Sequence, residues 1–373
     1  MRSRAIVMTE SGGLEEREFE VEPTPENVII GVERNGICGT DVHMREGGMD
    51  LEFPVVPGHE FVGTAEHVGE AVHADAAGHP VEEGDAITVV PGISCGECWY
   101  CDNLPTRPLA CDDRRVYGFR SADRPPHGHG GMSERVVVEP DATFYRVPEA
   151  LPIALGALVE PVSVATHALE RALPPGLPHA REGFGIGKTV AIQGAGPIGL
   201  LAAAAAATAG AGRIVSIDLI EERLDLAEDF GATDTVEAGG LDTEDLVEAV
   251  HDLTPGGVGP DVVIEAVGRP EAFRQGIELA RNAGTLIEVG HYADAGTAEI
   301  NPTRLVQKEL DVQGSLAYPP GQFETAISML ERTHDRFPYA DLFNHQAGFE
   351  DAADAYEAQA SGEAYRATIH PDR

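Results

Sequence analysis

Five cysteines carry the most legible chemistry in this chain: Cys38 stands alone, while Cys95, Cys98, Cys101 and Cys111 crowd into one short segment. The first three of that segment form two overlapping C-x-x-C turns, and the loop after Cys101 returns the fourth sulfur. Four thiolates at about 2.3 Å make a closed tetrahedral zinc site, structural because no position stays open for substrate. An odd count packed this way argues against a disulfide framework. Cys38 sits in Gly36-Ile37-Cys38-Gly39-Thr40-Asp41-Val42-His43, and Gly58-His59-Glu60 follows later in the chain. Cys, His and Glu supply three protein ligands and leave a fourth position for water or substrate, the arrangement of a catalytic zinc. Taken singly, Cys38 reads as an inert buried thiol and His59 as an ordinary loop histidine. Their joint occurrence in glycine-bracketed turns points to metal.

A second constellation is Gly194-Ala195-Gly196-Pro197-Ile198-Gly199, which matches G-x-G-x-x-G. The pattern alone is weak in a chain with 43 glycines. Its context strengthens it, with a strand before, a helix after and Asp218 at the end of the next strand. Gly194 permits the tight turn, Gly196 lets the backbone approach a pyrophosphate, and Gly199 lets helix and strand pack closely. Pro197 and Ile198 open a helix whose free N–H groups face the phosphates. Asp218 is placed to accept hydrogen bonds from the adenosine ribose, so NAD is expected over NADP; its alternative is a solvent-exposed cap. Arg223 complicates this, since it could lie over the adenine or reach a 2′-phosphate. Val267, after the strand 262–265, is counted among the cofactor contacts. Arg366 is expected either to cross back to the pyrophosphate or to be an ordinary surface arginine.

These residues need two kinds of scaffold. Residues 1–160 are rich in Gly, Pro and short alternating runs, such as 27–32 and 86–90, which predict a β-rich domain with a metal lobe at about 91–115. From 161 to 303, strands at 189–193, 213–217, 262–265 and 285–289 alternate with helices, predicting parallel βαβ units and a doubly wound sheet. Residues 304–373 add helices at 322–331 and 349–359 and are expected to return to the first domain. The longest apolar stretch, Ile198 to Ala211, is too short and too Gly-punctuated for a membrane span. The N-terminus lacks a signal-peptide core, so a cytoplasmic location is expected.

Charge is extreme: 63 acidic against 26 basic residues, net −37. The acids are scattered, so a disordered tail does not explain them. Such a surface repels itself in dilute buffer, and at about 1 M salt a Debye length of about 3 Å removes the repulsion. The composition therefore predicts the enzyme of a salt-loving organism, with no nucleic-acid partner.

Together, the run Cys38 to His43, the triplet Gly58-His59-Glu60, the four-cysteine lobe and the Gly194–Gly199 fingerprint resemble the zinc-containing medium-chain dehydrogenases. The segment Leu158-Val159-Glu160-Pro161-Val162-Ser163-Val164-Ala165 looks like the branch containing sorbitol and threonine dehydrogenases, in which a Glu replaces a ligand cysteine. The resemblance implies an α/β architecture: a GroES-like catalytic domain plus a Rossmann coenzyme domain. It implies two zinc ions per subunit, the catalytic one held by Cys38, His59 and either Glu60 or Glu160. It implies oxidation of a secondary alcohol (a polyol, sugar, amino alcohol or cyclic alcohol) to a ketone, with hydride transfer to NAD(P). Thr40 would take the hydroxyl proton and pass it through the cofactor ribose to His43, and the subunits would form a homo-oligomer, a tetramer rather than a dimer. Two departures stand out. The Cys101–Cys111 loop is longer than usual, with Pro105 and Pro108. The stretch Tyr117 to Gly131, with His127 and His129, is insertion-like and is expected to be a mobile loop at the active site; it faintly resembles dehydrogenases of cyclic or bulky alcohols. The competing assignments are an enone or quinone reductase of the same superfamily, which lacks the zinc ligands, and a zinc-stabilised NAD(H)-binding regulator without turnover.

Overall fold

The computed structural model describes every residue except Thr106, Pro126, 174–182 and 372–373. The chain divides into two compact units: Met1–Glu160 with Pro319–His334 and Tyr339–Arg373, and Pro161–Tyr318 with Asp335–Pro338.

The second unit is a parallel sheet of six strands, numbered here within that sheet: β1 (Thr189–Gln193), β2 (Arg213–Asp218), β3 (Asp234–Glu237), β4 (Val262–Glu265), β5 (Thr285–Glu288) and β6 (Asp311–Gly314). Their order is β3-β2-β1-β4-β5-β6, with the reversal between β1 and β4 that characterises a Rossmann sheet. Every residue of β1 and β4 is buried, as expected of central parallel strands covered on both faces. β6 lies beyond the boundary drawn at 303, so the C-terminal segment begins inside this sheet and joins the first unit only from Pro319. That strand was missed because DVQG is a short edge strand, largely exposed, with no apolar pattern to announce it.

In the first unit, the strand Val28–Gly36 is the hub of a seven-stranded sheet and pairs with Glu60–Val68, Arg135–Val138 and Ala367–Ile369. Register decides what meets at its end. Gly36 lies opposite both Glu60 and Thr368, so Cys38, Glu60 and Arg366 are drawn together from distant parts of the chain. A Cβ on Gly36 would sit 2.3 Å from Glu60 Oε2, which explains a glycine at that position.

Two expectations need correction. Among the described residues, the longest apolar helical run is Ile153–Arg171, not Ile198–Ala211; its mean hydropathy is 1.2, and 72% of its most apolar window is buried, as in a core helix. The stretch Tyr117–Gly131, expected to be a mobile loop at the active site, does bring Phe119 to His59, but its ends are packed rather than loose. Tyr117 and His129 are buried, and His129 Nδ1 lies 3.2 Å from Glu139, which also pairs with Arg120. The charged end of Glu139 thus holds the segment down; Pro126 lies outside the described residues.

Candidate zinc and dinucleotide sites

The helix Gly39–Arg45 starts at Cys38, whose backbone N–H donates to Asp41 Oδ2 at 2.9 Å. This bond to the Asp41 carboxylate fixes the helix start at Cys38, whose thiol lies within reach of His59 and Glu60. One donor atom from each of Cys38, His59 and Glu60 falls within a set whose members all lie within 4.8 Å of one another. His59 and Glu60 are buried, and Glu60 Oε2 has no hydrogen-bond partner. A buried, orphaned carboxylate oxygen beside a thiol and an imidazole fits a divalent cation such as zinc. The charge of the cage says the same. Burial opposes a proton on His59, but Asp41 and Cys38 outweigh it and hold the imidazole's pKa well above its ordinary value. Glu160, 8% exposed, adds negative field at both His59 and Arg366.

Two side chains organise this cage. Asp41 is fully buried; its Oδ1 lies 3.7 Å from His59 Nδ1 and accepts the Gly58 N–H at 3.4 Å. A carboxylate beside a ligating imidazole biases the ring's orientation through its charge, here without a direct hydrogen bond to Nδ1. The motif by itself assigns Asp41 no role; the signal it offers is a carboxylate three residues after Cys38. Arg366 is 3% exposed and donates from Nη1 to Glu60 Oε1. It is therefore not a surface arginine, and its guanidinium is occupied with a candidate zinc ligand. Thr40 Oγ1 lies 3.6 Å from Cys38 Sγ, and His43 is half-exposed with Nδ1 4.0 Å from Glu46. The Phe119 ring meets His59 edge-on at 5.6 Å.

The lobe sulfurs are 3.5 Å apart for Cys98–Cys101 and for Cys95–Cys111, and 3.9 Å for Cys95–Cys101. A tetrahedron with bonds of about 2.3 Å places its corners about 3.8 Å apart, so the cluster has the size zinc requires. Backbone N–H groups of Asp112 and Cys101 pull the Cys98 thiol down to about 6, while desolvation and the neighbouring Cys98 push Cys101 up to about 12. A bound cation would let the thiols act together as thiolate ligands.

In the second unit, Gly194 has φ 93°, and a Cβ on Gly199 would lie 1.8 Å from the Gly194 oxygen. Gly196 differs: φ is −77° and a Cβ would meet nothing within 4 Å. Protein packing does not demand glycine there, whereas a close-approaching ligand would. Gly196 caps the helix Pro197–Thr208, with Pro197 and Ile198 in its first turn. Asp218 accepts the N–H groups of Ala195 at 2.7 Å, Leu219 at 2.8 Å and Ile220 at 3.1 Å, tying the glycine turn to the end of β2. Arg223 is half-buried on the following helix, and Val267 is 44% exposed beyond β4.

A parallel six-stranded Rossmann unit and a Cys-His-Glu cage with a four-thiol lobe define a zinc- and nicotinamide-dependent dehydrogenase. Comparison with known proteins agrees. The GroES-like domain of alcohol dehydrogenases matches residues 24–149, and the zinc-binding dehydrogenase family matches 197–332. The chain is 32% identical over 363 residues to 5-exo-hydroxycamphor dehydrogenase of Pseudomonas putida, covering 96% of each. It is 32% identical over 371 residues to D-xylulose reductase A of Aspergillus niger, covering 96% of this chain and 94% of that one. An alcohol dehydrogenase structure from Thermotoga maritima superposes with a TM-score of 0.90 at 29% identity over 99% of each chain. The chain belongs to the zinc-containing medium-chain alcohol dehydrogenases. It is an oxidoreductase acting on CH–OH donors with a nicotinamide cofactor.

Proposed function

We propose that this protein oxidises a bulky, largely apolar secondary alcohol to its ketone with NAD as hydride acceptor, using one catalytic and one structural zinc per chain. The Cys38–His59–Glu60 donor set carries the proposal. Zinc held there supplies Lewis-acid polarisation of the alcohol oxygen. Around it, Asp41 orients His59, and Arg366 holds one oxygen of Glu60 so that the other is turned to the donor set. Glu160 stands close as the exchangeable alternative ligand. Thr40 would take the alcohol proton at its hydroxyl oxygen while releasing its own hydroxyl proton towards the coenzyme side, and His43, on the same helix and half-exposed, would exchange a proton with water.

The apolar substrate is supported by Phe119 against His59 and by Val42, Met49, Leu51 and Phe53, all partly buried on the cluster that contains Ile37, Met44 and Val55. A cyclic terpenoid alcohol, of the kind the P. putida relative is named for, suits such a wall better than a polyol, whose hydroxyls need partners. NAD over NADP is supported by Asp218, where a 2′-phosphate would meet a carboxylate. Five free thiols suit a reducing cytoplasm. The homotetramer follows from family resemblance, and β6, paired only with β5 among the described residues, offers an edge for a second copy. The test is a panel of cyclic, aliphatic, polyol and amino alcohols with NAD and NADP in molar salt. Reduced coenzyme should appear fastest with cyclic alcohols and NAD; no reduction with any alcohol, while coenzyme still binds, would favour the regulatory alternative.

A further inference from the structure

The second unit holds a cluster that alcohol oxidation does not use. Glu265 and Glu288 end adjacent strands in direct register, and His291 follows two turn residues later. Donor atoms of all three lie within 4.8 Å of one another. Glu265 is 0% exposed, and its Oε1 accepts the backbone N–H groups of Val267 and Gly268 at 2.9 Å each. Glu288 Oε1 accepts the N–H of Gly290 at 3.1 Å and of His291 at 3.2 Å, with His291 Nδ1 at 2.9 Å. Each carboxyl therefore ties down the turn after its own strand. The remaining oxygens, Glu265 Oε2 and Glu288 Oε2, are buried and have no hydrogen-bond partner.

A fully buried carboxylate beside a half-buried one strongly disfavours a second charge unless a cation or a proton lies between them. A proton is the better fit. Gly290 closes one side of the pair, since a Cβ on it would lie 2.5 Å from Glu265 Oε2. The flanking registers are neutral, with Gln193 beside Glu265 and Gly314 beside Glu288. On the helix packed against both strands, Glu271 pairs with Arg274 and Glu278 with Arg304, and Arg269 ahead of it is exposed. His291 Nδ1 lies 3.6 Å from Glu265 Oε2.

We propose that Glu265 and Glu288 share one proton and thereby position the two turns, 266–268 and 290–291, at the coenzyme-binding end of the sheet, so that coenzyme binding weakens when the proton is lost. This rests on the dinucleotide function proposed above, because ligands of doubly wound sheets bind beyond the carboxyl ends of the strands. Both are positioning residues and act through backbone N–H groups. Burial first, and Glu288 second, push Glu265 up to about 8, which places the loss in mildly alkaline solution.

The test is titration of the zinc-loaded protein with NADH and NADPH, followed by coenzyme fluorescence at pH 7, 8 and 9 in molar salt. If only the protonated pair is competent, about a tenth of the protein binds at pH 9 and the dissociation constant rises about tenfold. Glu288→Gln and Glu265→Gln each leave one charge and supply an amide donor to the other carboxylate. Both should hold a nearly constant dissociation constant across this range, with circular dichroism confirming the fold. A wild type without alkaline weakening, or variants that weaken in parallel with it, would overturn the proposal while leaving the dehydrogenase intact. A third metal equivalent lost in both variants would overturn it in favour of an ion. Failure of both coenzymes to bind at any pH would remove the dinucleotide function and this proposal with it.

Discussion

Asp41 joins the two loops that carry the candidate metal ligands, through the N–H groups of Cys38 and Gly58 and its approach to His59. An Asp41→Asn change keeps a hydrogen-bonding oxygen but removes the charge that polarises the imidazole. It should weaken zinc at the Cys38 site by about 10- to 100-fold, measured by competition with a chelator, and leave the lobe zinc in place. The candidate donor set could be picked out as Cys38, His59 and Glu60 because soft and borderline donors in glycine turns have few other uses, and the structure brings the three together. The job of Arg366 was not: only the pairing of Ala367–Ile369 beside Gly36 reveals that a residue from the chain's end reaches Glu60. Glu265 makes a residue-scale prediction about stability. Its pKa is raised in the fold to about 8, against about 4.3 in an unfolded chain, so the folded state binds more protons between those values. The associated stability is fully present below about pH 4.3 and is lost as pH rises through 8. Thermal midpoints should therefore fall more between pH 5 and 8 for the wild type than for Glu265→Gln.

At the scale of elements, the turn between β1 and its helix separates two uses of glycine. Gly199→Ala places a Cβ 1.8 Å from the Gly194 oxygen, and the backbone shift it forces should cost about 1–3 kcal/mol of stability. Gly196→Ala meets open space, so stability should change by only about 0.5 kcal/mol. Its coenzyme affinity should nevertheless drop, because the methyl occupies the side from which a pyrophosphate approaches. Unfolding curves and coenzyme titration separate the two. Equal destabilisation by both would mean that Gly196 is held by packing alone. β1 and β4 were readable to the residue, since buried parallel strands are continuous apolar runs bounded by turns. β6 and the packing of the Tyr117–Gly131 stretch were not, because an edge strand needs no apolar pattern, and a buried His129 shows itself only through Glu139.

At the scale of the molecule, net charge −37 is borne by a surface with little lysine to offset it. The chain's only lysines are both engaged: Lys188 pairs with Asp261 at 3.2 Å, and Lys308 donates to the carbonyls of Ile277, Glu278 and Ala280. Screening should therefore stabilise the fold, and thermal midpoints should rise steadily as NaCl goes from dilute buffer to the molar range. A midpoint indifferent to salt would remove the halophilic assignment without touching the enzyme. The central claim is that one cage, built on Cys38, makes this coenzyme-binding chain an alcohol dehydrogenase. Its most direct test is Cys38→Ser, compared with the wild type for zinc content, coenzyme binding and alcohol-dependent coenzyme reduction in molar salt. We expect two zinc ions and turnover in the wild type, and in the variant one zinc, retained coenzyme binding and no turnover. A variant that keeps both zinc ions, or that loses one and still oxidises alcohol at the wild-type rate, would contradict the account.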